Sequence, residues 1–328
     1  MLQVGLNPYG LTYHLGLQGS GTPRANPAGR GLEGFIAIAS ELKARTLEIF
    51  EPWLRAMSDA DLAALRERLA GLGMTPVVSA GLNMMGPLES AFRSARLLDA
   101  TVIRLGLSPV LCGDRNAAGA RWAELNASIR AALAEWGPKA AAEGRVLAIE
   151  NHQDFTSAEL VGFCEEAGSG VGITFDMGNT FPVAESPLDF TARIAAHVRH
   201  VHLKDYRVQF TSEGYRLVRC AIGDGAVPYP EMIAILAGHH ASLPAVLEPG
   251  ALEARHVRLF TPDWWNGYPP KSASELAACL YAAQRNRLAE DADTRTPWER
   301  QDDGAIESYE LDMIRRSAAN MRALGIMQ

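Results

Sequence analysis

The chain has 328 residues, of which 48% are apolar and 21% charged, with a net charge of −7. That is enough apolar material for a large core. Lysine and arginine are scattered, so the basic face that a sequence-independent nucleic-acid binder needs is missing, and no run approaches the ~18 apolar residues of a membrane span.

Strand-like runs bounded by glycine or proline fall at 2–6, 46–50, 75–80, 101–106, 145–150, 171–176, 198–203 and 244–248. Amphipathic stretches separate them. The spacing predicts helices over 33–44, 59–72, 87–99, 119–142, 157–167, 187–197, 229–240 and 272–290. Ser58 and Asp61 form a capping box for the second of these, and Ser157 is expected to cap the fifth. Strands alternating with helices imply parallel pairing through crossovers. Eight such units in about 250 residues fit a closed (β/α)8 barrel, an α/β TIM barrel of one domain over residues 1–328. An open doubly wound sheet would show a phosphate-cradling glycine loop after its first strand. Gly5-Leu-Asn-Pro-Tyr-Gly10 lacks that spacing.

Two stretches break the alternation. Residues 16–31 are rich in glycine and proline. Residues 249–271, after the eighth strand, carry Phe260, Trp264, Trp265 and Tyr268. Long aromatic loops are rarely idle, so 249–271 is expected to form a lid or wall over the barrel mouth, with Trp264 and Trp265 touching substrate. A subunit contact is the competing account. Residues 291–328 form a C-terminal extension ending in an amphipathic helix near 306–324.

Four of the strand signals close on an ionisable side chain: Glu150, Asp176, His202 and Glu248. A parallel barrel gathers its strand C-termini on one face, where active sites sit. Three carboxylates and one imidazole suit a hard-to-borderline divalent metal. Taken singly, each acid could instead be a helix N-cap. Strand alternation puts His152 on the side of Glu150, and His200 and Lys204 on the side of His202. Lys204 then faces either a substrate anion or an acid such as Asp205. Arg104, inside a barrel, needs an anionic partner, for which Glu48 is a candidate. His14 reads as a packed loop residue, and His239-His240 as a solvated helix end. Cys112, Cys164, Cys220 and Cys279 form no Cys-x-x-Cys pair and read as reduced thiols. With no signal-peptide pattern at the N-terminus, a cytoplasmic location is expected.

The motifs Ala148-Ile-Glu150-Asn, Phe175-Asp176-Met-Gly-Asn179, His200-Val-His202-Leu-Lys-Asp205, Gly223-Asp-Gly225 and Leu247-Glu248-Pro-Gly250 resemble the xylose isomerase-like barrel superfamily of sugar isomerases and epimerases. The likeness covers about residues 1–248. It implies that Glu150, Asp176, His202 and Glu248 bind one divalent ion, commonly Mn²⁺ or Mg²⁺, with Co²⁺ or Zn²⁺ as alternatives. It also implies that Glu150 and Glu248 exchange a proton with carbon next to a carbonyl through a stabilised enediolate, and that His200 either supports the ligand residues from behind or contacts a small carbohydrate or sugar acid; His152, on the face of Glu150, and Asn179 are expected to contact that substrate too. Lys204 joins the catalytic set through a substrate oxyanion. Glu48 stands where many relatives carry a glutamate. Ketose 3-epimerases carry a histidine three residues after the aspartate, where this chain has Asn179, and an arginine beyond the seventh-strand histidine, for which Arg207 is the counterpart. The alternative on the same barrel is a lyase or decarboxylase acting on a 3-oxo sugar acid or 3-oxo glycoside. A homodimer or tetramer is compatible with the C-terminal helix and the tryptophans.

Overall fold

The computed structural model describes residues 2–82, 85–119 and 121–328. Eight parallel strands close into a barrel. In chain order they are β1 (Leu2–Leu6), β2 (Thr46–Phe50), β3 (Thr75–Gly81), β4 (Val102–Gly106), β5 (Val146–Glu150), β6 (Val171–Asp176), β7 (Val198–Leu203) and, after two strands outside the barrel, β10 (Leu243–Leu247). Every expected strand is present. The barrel strands are rich in Val, Ile and Leu because a sheet sandwiched between a packed interior and a ring of helices has no solvent face.

The barrel closes between β1 and β2, where Leu6 pairs with Leu47. A Cβ on Gly5 would lie 1.6 Å from the Thr46 carbonyl oxygen. Only glycine lets the two backbones approach this closely. The Thr46 hydroxyl fastens the seam by donating to the Gln3 carbonyl at 2.6 Å.

The surrounding helices are α1 (Gly31–Glu41), the short α2 (Glu51–Arg55), α3 (Asp59–Gly71), α4 (Leu88–Leu98), α5 (Arg121–Ala142), α6 (Ser157–Ala167), α7 (Pro187–Ile194), α8 (Tyr229–Ala237) and α9 (Ala273–Ala283). The Ser58–Asp61 capping box opens α3 as expected. The cap of α6 is Thr156 rather than Ser157, because Glu159 at the third helical position answers Thr156 in a second capping box. Helix α9 ends at Ala283, short of the expected 290; Asn286 adopts a positive φ, which a helix cannot continue through. The C-terminal helix α10 (Asp303–Ala323) packs back on the β1 loop. There its fully buried Glu310 accepts from the backbone of Tyr13 and His14 and from the Thr12 hydroxyl. His14 is packed as expected, its Nδ1 2.7 Å from Glu307.

One element is absent from the sequence reading. Between β7 and α8 the chain forms a hairpin, β8 (Tyr206–Thr211) and β9 (Gly214–Arg219), which the later strand β11 (Arg255–Val257) extends to three antiparallel strands. Its signal was legible: Tyr206, Val208 and Phe210 alternate with polar residues, and a two-residue turn leads to Gly214. The hairpin is seated by Asp205. Its carboxylate accepts from the backbone N–H groups of Tyr206, Gly223, Gly225 and Val227, which accounts for the Gly223-Asp-Gly225 motif. Asp205 is therefore not the partner of Lys204.

Candidate metal centre

The C-terminal ends of β5, β6, β7 and β10 bring Glu150, Asp176, His202 and Glu248 together. Each offers a ligand atom within 4.8 Å of the others, and none is more than 4% exposed. Strand register explains the convergence. Asp176 pairs directly with His202, and His202 with Val246, two residues before Glu248. The four expected residues are thus one cluster.

Its geometry fits a candidate ion site. His202 Nδ1 lies 3.1 Å from Glu150 Oε1 and 2.8 Å from Glu248 Oε2. Yet Nδ1 and Glu150 Oε1 are both buried without a hydrogen-bond partner. Buried polar atoms are normally satisfied; these meet at ion-pair distance without a well-formed hydrogen bond, an arrangement that a shared cation fits. Three oxygens and one nitrogen suit Mn²⁺, Mg²⁺ or Zn²⁺. The residues fit a divalent ion.

A ring of partners holds the four in place. Arg104 donates to Glu150 through Nη2 and to the Ala80 carbonyl at 3.1 Å. The expected Arg104–Glu48 pair is not formed, because Glu48 is taken by two histidines: its Oε2 is 2.8 Å from His200 Nε2 and 2.6 Å from His202 Nε2. Lys204 Nζ donates to Asp176 at 2.7 Å and to Glu248 at 2.6 Å. Asn179 donates to Asp176 at 2.6 Å and accepts from the Tyr206 hydroxyl at 3.2 Å. Asn7, at the end of β1, donates to Glu248. Asn151 and the Asp176 backbone exchange bonds at 2.7 and 2.8 Å.

The electrostatics follow from burial opposed by charge. Burial disfavours ionisation of Glu150 and Glu248, but Arg104 beside the first, Lys204 beside the second and His202 beside both hold the two carboxyls well below the usual range. Burial likewise opposes His202 and Lys204, and the carboxylates around them push both well above their ordinary values. His152, desolvated, falls to about 4 and is neutral at pH 7. An ion would displace the proton from His202 Nδ1, since a metal-bound imidazole must be neutral.

Over the cluster opens a cavity of about 460 Å³. Glu248, Lys204, Arg104 and His152 line it; Asn179, His200 and Glu150 do not. Asn179 and His200 instead support Asp176 and Glu48, and His200 Nδ1 lies 3.0 Å from the Pro244 carbonyl oxygen. From the loop 249–271, Ala251, Glu253 and Arg255 line the cavity, and its tryptophans do not. Trp264 is fully buried, stacks on Tyr268 at 4.8 Å and donates through its indole N–H to the Cys112 carbonyl at 3.0 Å. Tyr268 donates to Gly113 at 2.8 Å, and the half-buried Trp265 to Leu259 at 2.9 Å. The aromatic residues bolt this loop to the one after β4. They do not face the cavity. Arg207 is exposed, its Nε donating to Asn286 away from the cavity. His240 is half-buried against the Ala195 carbonyl oxygen at 2.7 Å.

Sequence reasoning missed Asn7 and Arg255. Asn7 sits at a strand end like the four clustered residues, a signal that was available. Arg255 opens the three-residue strand β11, too short for any periodicity to locate it.

Fold and cluster define a (β/α)8 barrel with a candidate divalent-metal centre at its C-terminal mouth. The chain belongs to the xylose isomerase-like TIM barrel family, whose model matches residues 36–271. Uncharacterized protein YihM of Escherichia coli (strain K12) is 30% identical over 91 residues, 27% of this chain and 28% of that protein, so the match spans little more than a quarter of the relative. Among solved structures, D-psicose 3-epimerase from Clostridium cellulolyticum H10, solved with D-tagatose, superposes with a TM-score of 0.56 at 16% identity, covering 90% of this chain and 93% of that one. The probable 3-DHS dehydratase AsbF from Bacillus anthracis gives 0.53 at 13% identity, covering 76% and 92%. At these identities the likeness is one of fold. No helix among the described residues is long and apolar enough to cross a membrane.

Proposed function

We propose that this chain is a divalent-metal-dependent enzyme that moves a proton at carbon next to the carbonyl of a small sugar or sugar acid, as an isomerase or epimerase. The observation that supports this most is the unpaired convergence of Glu150 Oε1 and His202 Nδ1 on one point beneath an open cavity. A divalent ion held by Glu150, Asp176, His202 and Glu248 supplies positive charge that stabilises an enediolate.

The chain's own groups do the rest. Glu248 reaches the cavity and is the leading proton acceptor. Glu150, behind it with one oxygen on Arg104, is the second member of the pair. Lys204, between Asp176 and Glu248, keeps Glu248 ionised and offers an ammonium to a developing oxyanion. Asn179 and Asn7 hold the carboxylates in place. The aromatic bolt between the loops after β4 and β10 keeps the mouth in shape. General acid–base catalysis of this kind contributes roughly 10²–10⁴-fold.

A lyase is the second reading, and Lys204 favours it. An ammonium lining the cavity 2.6 Å from the candidate base offers fixed positive charge to a departing anion, which a simple epimerisation does not need. The D-psicose 3-epimerase and the 3-DHS dehydratase carry these two chemistries on the same fold. NMR in D₂O with Mn²⁺ and a panel of ketoses and oxo sugar acids tests both. Deuterium entering beside the carbonyl with retention of the skeleton supports the isomerase; loss of CO₂, water or an aglycone supports the lyase. No exchange and no fragment from any member overturns both.

A further inference from the structure

We infer that Arg255 binds an anionic group of the substrate, a carboxylate or phosphate remote from the carbon that exchanges its proton. This rests on the reading of the barrel-mouth cavity as the substrate site.

Three cationic side chains line that cavity: Arg104, Lys204 and Arg255. Two are committed to the metal cluster. Arg104 is held by Glu150, and Lys204 by Asp176 and Glu248. Arg255 is different. Its guanidinium makes no hydrogen bond among the described residues, its Nε is buried without a partner, and its acidic neighbour Glu253 stands at 4.0 Å, the outer limit of an ion pair. The side chain is 19% exposed, and its Nε–H has given up its water without gaining an acceptor. Such a group costs free energy unless a ligand completes it. Its planar fork of donors matches a carboxylate or phosphate in two parallel bonds.

The scaffold aims it. Arg255 opens β11, pairing in register with Leu217 of β9, so its backbone is fixed by a sheet rather than left on a free loop. Tyr206 lines the same cavity, and its hydroxyl donates to Asn179, which in turn donates to Asp176. Arg255 thus lines the same cavity as Lys204 and Glu248 of the cluster. A neutral sugar would leave the guanidinium unsatisfied. A sugar acid or sugar phosphate would satisfy it.

The test is isothermal titration with three probes that share a carbon skeleton: D-fructose, D-fructuronate and D-fructose 6-phosphate. The full chain is used, once with Mn²⁺ and once with chelator, as wild type, Arg255→Met and Arg255→Lys. Methionine keeps much of the apolar stem, and lysine keeps the charge without the fork. The wild type should bind one or both anionic probes at least tenfold more tightly than fructose. Arg255→Met should erase that preference without changing fructose affinity, and Arg255→Lys should restore part of it. Whether fructuronate or the 6-phosphate gains more identifies the anion. Equal affinity of the wild type for all three, no binding of any, or an unchanged preference in Arg255→Met would overturn the inference. Because binding is read without turnover, an anion preference with no deuterium exchange would leave Arg255 standing and remove the proton-transfer reading. Exchange into fructose with no anion preference would do the reverse.

Discussion

Glu48 Oε2 lies 2.6 Å from His202 Nε2, and that contact decides which nitrogen of the ring faces the carboxylate cluster. With Nε2–H committed to Glu48, Nδ1 is left to point at Glu150 and Glu248. Carboxylates behind a ligand histidine fix its tautomer and orientation in this way. Glu48 is itself ionised: burial pushes against it, but the two imidazoles facing it hold it far below the usual carboxylate range.

Glu48→Gln should therefore weaken divalent-metal binding by roughly 10–100-fold. Titration of Mn²⁺ or Zn²⁺ into the chelator-stripped protein reads this directly. An affinity equal to wild type, with circular dichroism unchanged, would show that Glu48 does not orient the ligand.

Glu248→Gln and Glu150→Gln each remove a proposed proton-transfer group. Both should lower exchange of solvent deuterium into substrate by at least about 100-fold while the far-ultraviolet spectrum is kept. If Glu150→Gln retains turnover and Glu248→Gln does not, Glu248 acts alone and the pair is withdrawn.

Asp154 gives a pH dependence separate from the metal. It is buried, accepts from the Ser108 hydroxyl at 2.6 Å and from Phe155 N–H at 2.9 Å, and burial pushes its carboxyl from the usual 3.8 up to about 7. The folded state therefore holds this proton more tightly than the unfolded one. The stability it contributes is complete below about 3.8 and is lost as pH rises through about 7. Urea unfolding with chelator present should show Asp154→Asn gaining on the wild type by up to about 1.4 kcal/mol per pH unit across that window. Parallel pH profiles would contradict the shift.

Trp264 separates a wall from a bolt. Trp264→Phe deletes the indole N–H to Cys112 and leaves a void, so the thermal midpoint should fall, with a loss of about 1–3 kcal/mol. Calorimetry reads that loss. A change confined to substrate affinity, with stability untouched, would return Trp264 to the list of ligand contacts.

Gly5→Ala drives a Cβ into the Thr46 carbonyl at the β1–β2 seam. Overpacking costs about 1–3 kcal/mol where a neighbour can yield; here the neighbour is backbone, so the loss should reach or exceed that range. A urea midpoint equal to wild type would mean the seam can open.

The eight barrel strands and the four converging strand-end side chains were legible in the chain because both signals are local. A buried parallel strand is a short apolar run, and its C-terminal residue faces the mouth whatever the rest of the molecule does. Glu150, Asp176, His202 and Glu248 could be named from that rule alone. Which partner each side chain takes was decided only in three dimensions. Arg104 meets Glu150 instead of Glu48 because β4 and β5 are adjacent while two histidines from β7 cross the barrel to claim Glu48. Asn179 and His200 turn to the carboxylates rather than the cavity, Trp264 is sealed inside a loop junction, and Arg255 reaches the mouth because β11 pairs with a hairpin far away in sequence. Hydrogen bonds and charges are satisfied by whatever the fold brings within about 3 Å, and no periodicity along the chain encodes that distance.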